Sequence, residues 1–238
     1  MQSLNRVVGL ADSCELLGCV FSYPDERLAR GLVDGSVVHD VIDCLRDAGA
    51  EPQAQLCVEQ LTALVSVESS CDDCAAELLS RLRRDYTALF LAPGMHVPVF
   101  PYESAFRHRA AGATGVPVLF RSPVTLDVEG QMREAGVVPA DARTEPVDSV
   151  WNEFTFLSYL FGKQAEAVET DDVEAEARWA GAAGCFWSEH GALWLPAFME
   201  QVRREAADLA EEAQARPYIA LAAFGSAVCT LMEGRESW

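Results

Sequence analysis

Basic residues are scarce in this chain: 18 lysines and arginines stand against 37 aspartates and glutamates, a formal net charge of −19. Such a surface repels phosphate backbones and anionic lipid, which disfavours nucleic-acid partners and stable membrane insertion and favours a basic peptide. No apolar run approaches the roughly 20 residues that cross a bilayer. The opening stretch carries Asp12 and Glu15 inside its apolar part and has no small-residue cleavage site. It therefore reads as an amphipathic helix and not as a signal peptide, and the expected location is the cytoplasm. Period-two alternation is nearly absent, leaving little from which to build a sheet. Also missing are a GxSxG elbow, a phosphate-cradling GxxxxGK[ST], a GxGxxG after a strand and an HExxH pair. The four histidines show no i,i+4 pairing that would put two imidazoles on one helix face. These absences assign no catalytic residue, no metal site and no cofactor, and they favour a binding protein over an enzyme.

Cysteine is better represented, with eight residues. Without a secretory segment they read as reduced thiols, and Cys14, Cys19, Cys185 and Cys229 fall in apolar helical patterns as small hydrophobes. Cys71 and Cys74 form the only CxxC. Zinc would need two further ligands at matching spacing, and a thioredoxin-like role would need a strand leading in, so the pair reads as structural or incidental.

What the chain has in abundance is helical periodicity. Leu4, Val7, Val8, Ala11, Cys14, Leu17 and Phe21 make one stripe, which Tyr23-Pro24 ends before DERLARGL starts a short helix. Further short helices are expected around 37–47 and 53–66. Leu78, Leu82, Tyr86, Leu89 and Phe90 form the next stripe. Val150, Trp151, Phe154, Leu157, Leu160 and Phe161 form another, Phe198 to Ala213 a further one, and PYIALAAFGSAVCTLM reads as a central buried helix. The fold class is all-α, one helical-bundle globule of about ten helices.

Three interruptions stand out. Helical order breaks at Pro93-Gly94, where PGMHVPVFPYESAF must be a loop with fixed turns, and long loops of this kind are often functional. GATGVPVLFRSP is a second irregular stretch, closed by Ser122-Pro123 as the cap of a helix reaching about Ala135. VVPADARTEP reads as a linker. It suggests an N-terminal lobe at about 1–136, a hinge at about 137–144 and a C-terminal lobe at about 145–238 within one domain, so the chain is a monomer or a domain-exchanged dimer. A helix is then expected from near Pro146, with Glu145 and Asp148 at its positive end. The acidic run EAVETDDVEAEA is expected to be an exposed loop running into a helix.

Three segments together resemble the TorD/DmsD/NarJ family of redox-enzyme maturation chaperones. RRDYTALFLAPGMHVPVFPYESAF matches its Tyr-x-x-Leu-Phe helix end, Gly/Pro break and Pro-aromatic-Glu-Ser turn, through Tyr86, Leu89, Phe90, Pro93, Pro101, Tyr102, Glu103 and Ser104. EPVDSVWNEFTFLSYLF resembles the Glu-Pro-x-Asp-His box and the helix it starts, through Glu145, Pro146 and Asp148, with Ser149 where the family has histidine. CFWSEHGALWLPAFMEQV resembles the stretch that holds His190, Trp194, Pro196 and Phe198. The likeness implies a chaperone that binds the N-terminal signal, often a twin-arginine one, of a molybdenum-cofactor oxidoreductase precursor and holds it until the cofactor is installed.

A leader of paired guanidinium groups and an apolar stretch needs carboxylates beside an apolar groove. Glu103, Glu145 and Asp148 are the candidate acceptors. Tyr86, Phe90, Tyr102 and Trp151 are the candidate walls, with Ser104 and Pro146 in the turns that carry them. The plainer alternative is that Glu103 and Asp148 cap helices and that the aromatics are core. Two other functions stay open: a nitrate-reductase-type assembly chaperone whose client is not exported, and a metal- or nucleotide-binding protein.

Overall fold

The stripe that opens the sequence forms α1 (Gln2–Phe21), the first of ten α-helices among the described residues of this computed structural model. Residues 2–50, 55, 57, 59–61, 72–91, 97–139, 144–209 and 217–234 are described. There follow α2 (Glu26–Val33), α3 (Ser36–Asp47), α4 (Asp72–Phe90), α5 (Glu103–Ala110), α6 (Pro123–Glu134), α7 (Val150–Glu169), α8 (Val173–Phe186), α9 (Ala192–Asp208) and α10 (Pro217–Glu233). A π-helical turn, Trp187–Gly191, joins α8 to α9 without a break. No strand occurs among the described residues, so the class is all-α. The Pro93-Gly94 break, much of the helix expected at 53–66, residues 140–143 of the linker, and Cys71 lie outside the described residues.

Local chemistry starts several of these helices where short polar side chains stand. Asp25 accepts from Leu28 N at 2.9 Å at the head of α2, Ser122 from Thr125 N at 3.0 Å before Pro123, and Asp172 from Ala175 N at 2.9 Å before α8. Each satisfies a backbone donor that a helix leaves orphaned. The acidic run is not the loop it was expected to be: α7 continues through it to Glu169, and only Thr170–Asp172 turns before α8 begins.

α1 packs along α7, and α9 along α10, while α8 folds back on α7 and α3 lies across α1. The approach of α1 to α7 is close because Gly18 has no side chain: a Cβ there would lie 2.7 Å from Thr155 Oγ1. Phe21, Tyr86, Phe90, Phe198 and Tyr218 pack ring against ring where α1, α4, α9 and α10 meet, with centroids 4.9–6.5 Å apart. Edge and tilted contacts of this kind add to the burial of the rings themselves.

Cysteine usage departs from the expectation in two ways. Cys74 is disulfide-bonded. The reduced-thiol reading rested on compartment, which sets a redox poise and not the distance between sulfurs. Cys14 and Cys229 are buried in helices as expected, but Cys19 and Cys185 are exposed on theirs.

Candidate functional site

The two irregular segments singled out from the sequence meet. Tyr102 and Ser149 form an antiparallel bridge, in which Glu103 N donates to Asp148 O at 2.8 Å and Val150 N donates to Pro101 O at 2.9 Å. Each segment is also tied to the helices around it. Val99 N donates to Leu89 O at 3.1 Å, Gln201 Nε2 to Pro98 O at 2.7 Å, and Asn152 Nδ2 to Pro146 O at 3.3 Å. Ser149 stands outside α7 as its cap and accepts from Asn152 N at 3.3 Å, so the helix begins at Val150 and not near Pro146. A serine at the position where the family has histidine thus has a capping task.

The same bridge explains why the proline-rich loop ends at Tyr102. Tyr102 offers no side-chain cap to α5. Asp148 supplies one from across the bridge: its Oδ2 accepts from Ser104 N at 2.8 Å, beside the bond its carbonyl accepts from Glu103 N. This cap comes from residues 44 positions away.

Beneath the bridge lies a buried acidic network. Glu103, Asp148 and Glu153 are all 0% exposed. Glu103 takes Arg107 Nη1 at 2.6 Å on one oxygen and His190 Nδ1 at 2.8 Å on the other. Glu153 accepts from Trp194 Nε1 at 2.8 Å. Burial, reinforced by the charge of Glu103, raises the Glu153 carboxyl well above the usual carboxylate range. Burial also raises the Asp148 carboxyl, against hydrogen bonds from Ser104 that favour its charged form. His190 sits on the π-helical turn, where Gly191 leaves room for the Trp187 ring, and its Nε2 lies 3.2 Å from Asp127 Oδ2. Asp127 also lines a cleft of about 590 Å³ with Phe156, Arg178, Trp179 and Glu189; none of the sequence-predicted site residues lines it.

The candidate residues therefore divide by depth. Glu103, Ser104, Pro146 and Asp148 are buried in the frame. Tyr86 and Phe90 are 3% and 4% exposed and belong to the ring cluster of the core. Tyr102, Glu145 and Trp151 lie at the rim, partly exposed, with the Tyr102 and Trp151 rings edge to face at 5.9 Å. Burial raises the Glu145 carboxyl, a hydrogen bond from the Tyr102 hydroxyl opposes that, and Asp148 adds to it. Glu145 Oε1 is buried and has no hydrogen-bond partner among the described residues. The Tyr86 and Tyr102 phenols are both pushed up, chiefly by burial and then by the Glu145 charge.

Sequence reasoning did not select Arg107, Glu153, His190 or Trp194 for the site. Glu153 lies one turn into a helix read for its apolar stripe, where an acid among apolar positions is the available signal. Among the described residues, no group of three or more His, Cys, Asp or Glu is placed to hold a metal ion. None of the helices described is long and apolar enough to cross a membrane.

The family described as nitrate reductase delta subunit matches residues 47–200, a span that holds the bridge, the acidic network and the Glu145 rim. No curated protein and no solved structure matches the chain.

Proposed function

The chain belongs to the nitrate reductase delta subunit family, the NarJ/TorD-type chaperones of molybdoenzyme assembly, and from that premise we propose that it binds the N-terminal signal segment of a molybdenum-cofactor oxidoreductase precursor at the Glu145 rim. In this reading it holds the precursor in the cytoplasm until the cofactor is in place. The observation that carries the site is the state of Glu145. Its carboxylate is half-buried beside the Tyr102 hydroxyl, which hydrogen-bonds to it, and its Oε1 is buried with no partner among the described residues. An unsatisfied carboxylate oxygen beside aromatic rings favours a guanidinium, which supplies hydrogen bonds and charge and stacks on ring faces. Tyr102 and Trp151 form the apolar rim against which the stretch after the arginines lies.

Glu103 and Asp148 serve this site as its frame and not as its contact surface, because both are wholly buried with internal partners. Ser104 and Pro146 belong to the same frame, and Tyr86 and Phe90 form the floor. Calorimetric titration with a synthetic leader peptide bearing paired arginines tests the reading. Replacing Glu145 by Gln should weaken binding by about 1.5–3 kcal/mol, the range for a hydrogen bond to a charged group. The Trp151→Ala variant should weaken it too, and added salt should weaken the parent complex. Unchanged affinity in both variants, with the fold intact by circular dichroism, removes this placement of the site.

A second reading is favoured by the family's own description. On this reading the client is a nitrate-reductase-type enzyme, taken to be one that is not exported and whose N-terminus lacks paired arginines. A peptide with both arginines replaced by alanine separates the two: equal affinity supports this client, and loss of binding supports the twin-arginine one.

A further inference from the structure

The cleft beside His190 belongs to neither the frame nor the rim. It opens between α6 and α8 with a volume of about 590 Å³. That lies inside the range of roughly 300–1,000 Å³ common for ligand pockets. α6 turns Asp127, Gln131 and Glu134 to it, residues whose spacing puts them on one helix face. α8 and the π-helical turn supply Trp179, Ala182 and Glu189, and α7 adds Phe156. The lining thus combines apolar surface with carboxylates.

None of these carboxylates pairs with a lysine or arginine among the described residues. Glu189 Oε2 accepts from two neutral donors, Gln131 Nε2 at 2.7 Å and Cys185 Sγ at 3.3 Å. Glu134 is exposed, and Asp127 is 64% exposed. Arg178 is the one cation lining the cleft among the described residues, and it lies over the Trp179 ring, 4.8 Å from the centroid. The buried ring of His190 points to what the cleft takes. Its Nδ1 lies 2.8 Å from Glu103 Oε2, and Arg107 donates to the other oxygen, so that carboxylate accepts and Nδ1 donates. In the neutral ring Nε2 is then an acceptor. It makes no hydrogen bond among the described residues, and Asp127 Oδ2 stands 3.2 Å away. Two acceptors meet at the cleft wall, and a donor entering from the cleft satisfies both.

We propose that this cleft docks a lysine side chain of a partner protein. A primary ammonium carries three donors on one atom, enough for His190 Nε2, Asp127 and a second carboxylate, whereas the planar fork of a guanidinium suits a single carboxylate. The aliphatic stem of the lysine lies on Trp179 and Phe156 while its charge reaches the carboxylates. Ala135 and Ala182 extend the apolar lining beyond the stem, so the lysine comes with apolar neighbours, as on a protein segment and not on a free polyamine. This site stands apart from the Glu145 rim, and either can fail without the other.

The test uses the full chain and a labelled synthetic peptide with one lysine among leucines and serines, beside its counterpart with Nε-acetyllysine, which keeps the stem and loses the charge. By fluorescence anisotropy, the lysine peptide should bind tighter by about ten-fold or more, the size of a lost charge-assisted hydrogen bond. Glu134→Lys should remove that preference at an unchanged melting temperature and leave the affinity for the paired-arginine leader as it was. Nitrogen-15 spectra should show His190 Nε2 unprotonated in the free protein and shifted by the lysine peptide alone. Equal affinity of the two peptides overturns the proposal, and so does a His190 ring protonated on both nitrogens before peptide is added. Loss of leader and lysine peptide alike in Glu134→Lys moves the peptide to the rim, and spermidine binding as tightly as the lysine peptide makes the occupant a small polyamine. Either result also overturns it.

Discussion

Glu153 makes this protein depend on pH in the sense opposite to that of ordinary surface carboxylates. Its folded-state pKa is raised, first by burial and then by Glu103, so the native state binds a proton that the unfolded chain releases. That contribution to stability is fully present below the unfolded glutamate value of about 4.3, and it is lost as pH rises through the raised folded value. Glu153→Gln imitates the uncharged acid, and its amide oxygen can still accept from Trp194 Nε1. Urea unfolding across pH should show a shallower fall in stability for this variant between pH 5 and pH 8, and equal or greater stability at the upper end (bounds of about these values, above the unfolded pKa). Trp194→Phe keeps the ring contacts with Phe106 and Phe198 but removes the 2.8 Å bond to Glu153. A buried acceptor left without its donor costs about 1–3 kcal/mol, which the same unfolding measurement reads.

At the scale of elements, α5 exists as placed because Asp148 caps it from another segment. Asp148→Ala should therefore fray α5, seen as faster amide exchange at Glu103 and Ser104, with a loss of about 0.5–2 kcal/mol in stability. The glycines of α1 and α10 have unequal tasks. A Cβ on Gly9 would lie 2.4 Å from the backbone N of Ala48, whereas one on Gly225 would meet the flexible Met199 side chain at 2.4 Å. Gly9→Ala should thus cost more than Gly225→Ala, by about 1 kcal/mol or more within the range for overpacking, when the two are compared by urea midpoint. The start of α6 was legible to the residue because Ser122 and Pro123 act locally. The start of α5 was not, since its cap lies 44 positions away, and no local pattern announces a donor and acceptor that meet only after folding. The resemblance picked out the Tyr102 and Glu145 turns, and these do lie together. What it could not supply was depth: Glu103 and Glu145 are the same residue type in similar turns, and packing alone sets one at 0% exposure and the other at the rim.

For the whole molecule, a net charge of −19 makes self-repulsion a general destabilising force. Raising salt from about 0.01 M to about 0.15 M shortens the screening length from about 30 Å to about 8 Å, so scanning calorimetry should show a higher melting temperature in the saltier buffer. The same change should weaken leader binding at Glu145, which separates a global effect of charge from a local one by opposite sign. The packing of α1 along α7 has a further consequence for how the protein is made. A nascent chain emerges from the ribosome at roughly 5–20 residues per second, so α1 waits on the order of ten seconds for its partner to appear. Until α7 and the helices after it have emerged, the buried stripe of Leu10, Cys14, Leu17 and Phe21 is not fully covered, and this chaperone is, during its own synthesis, a greasy helix in need of shelter.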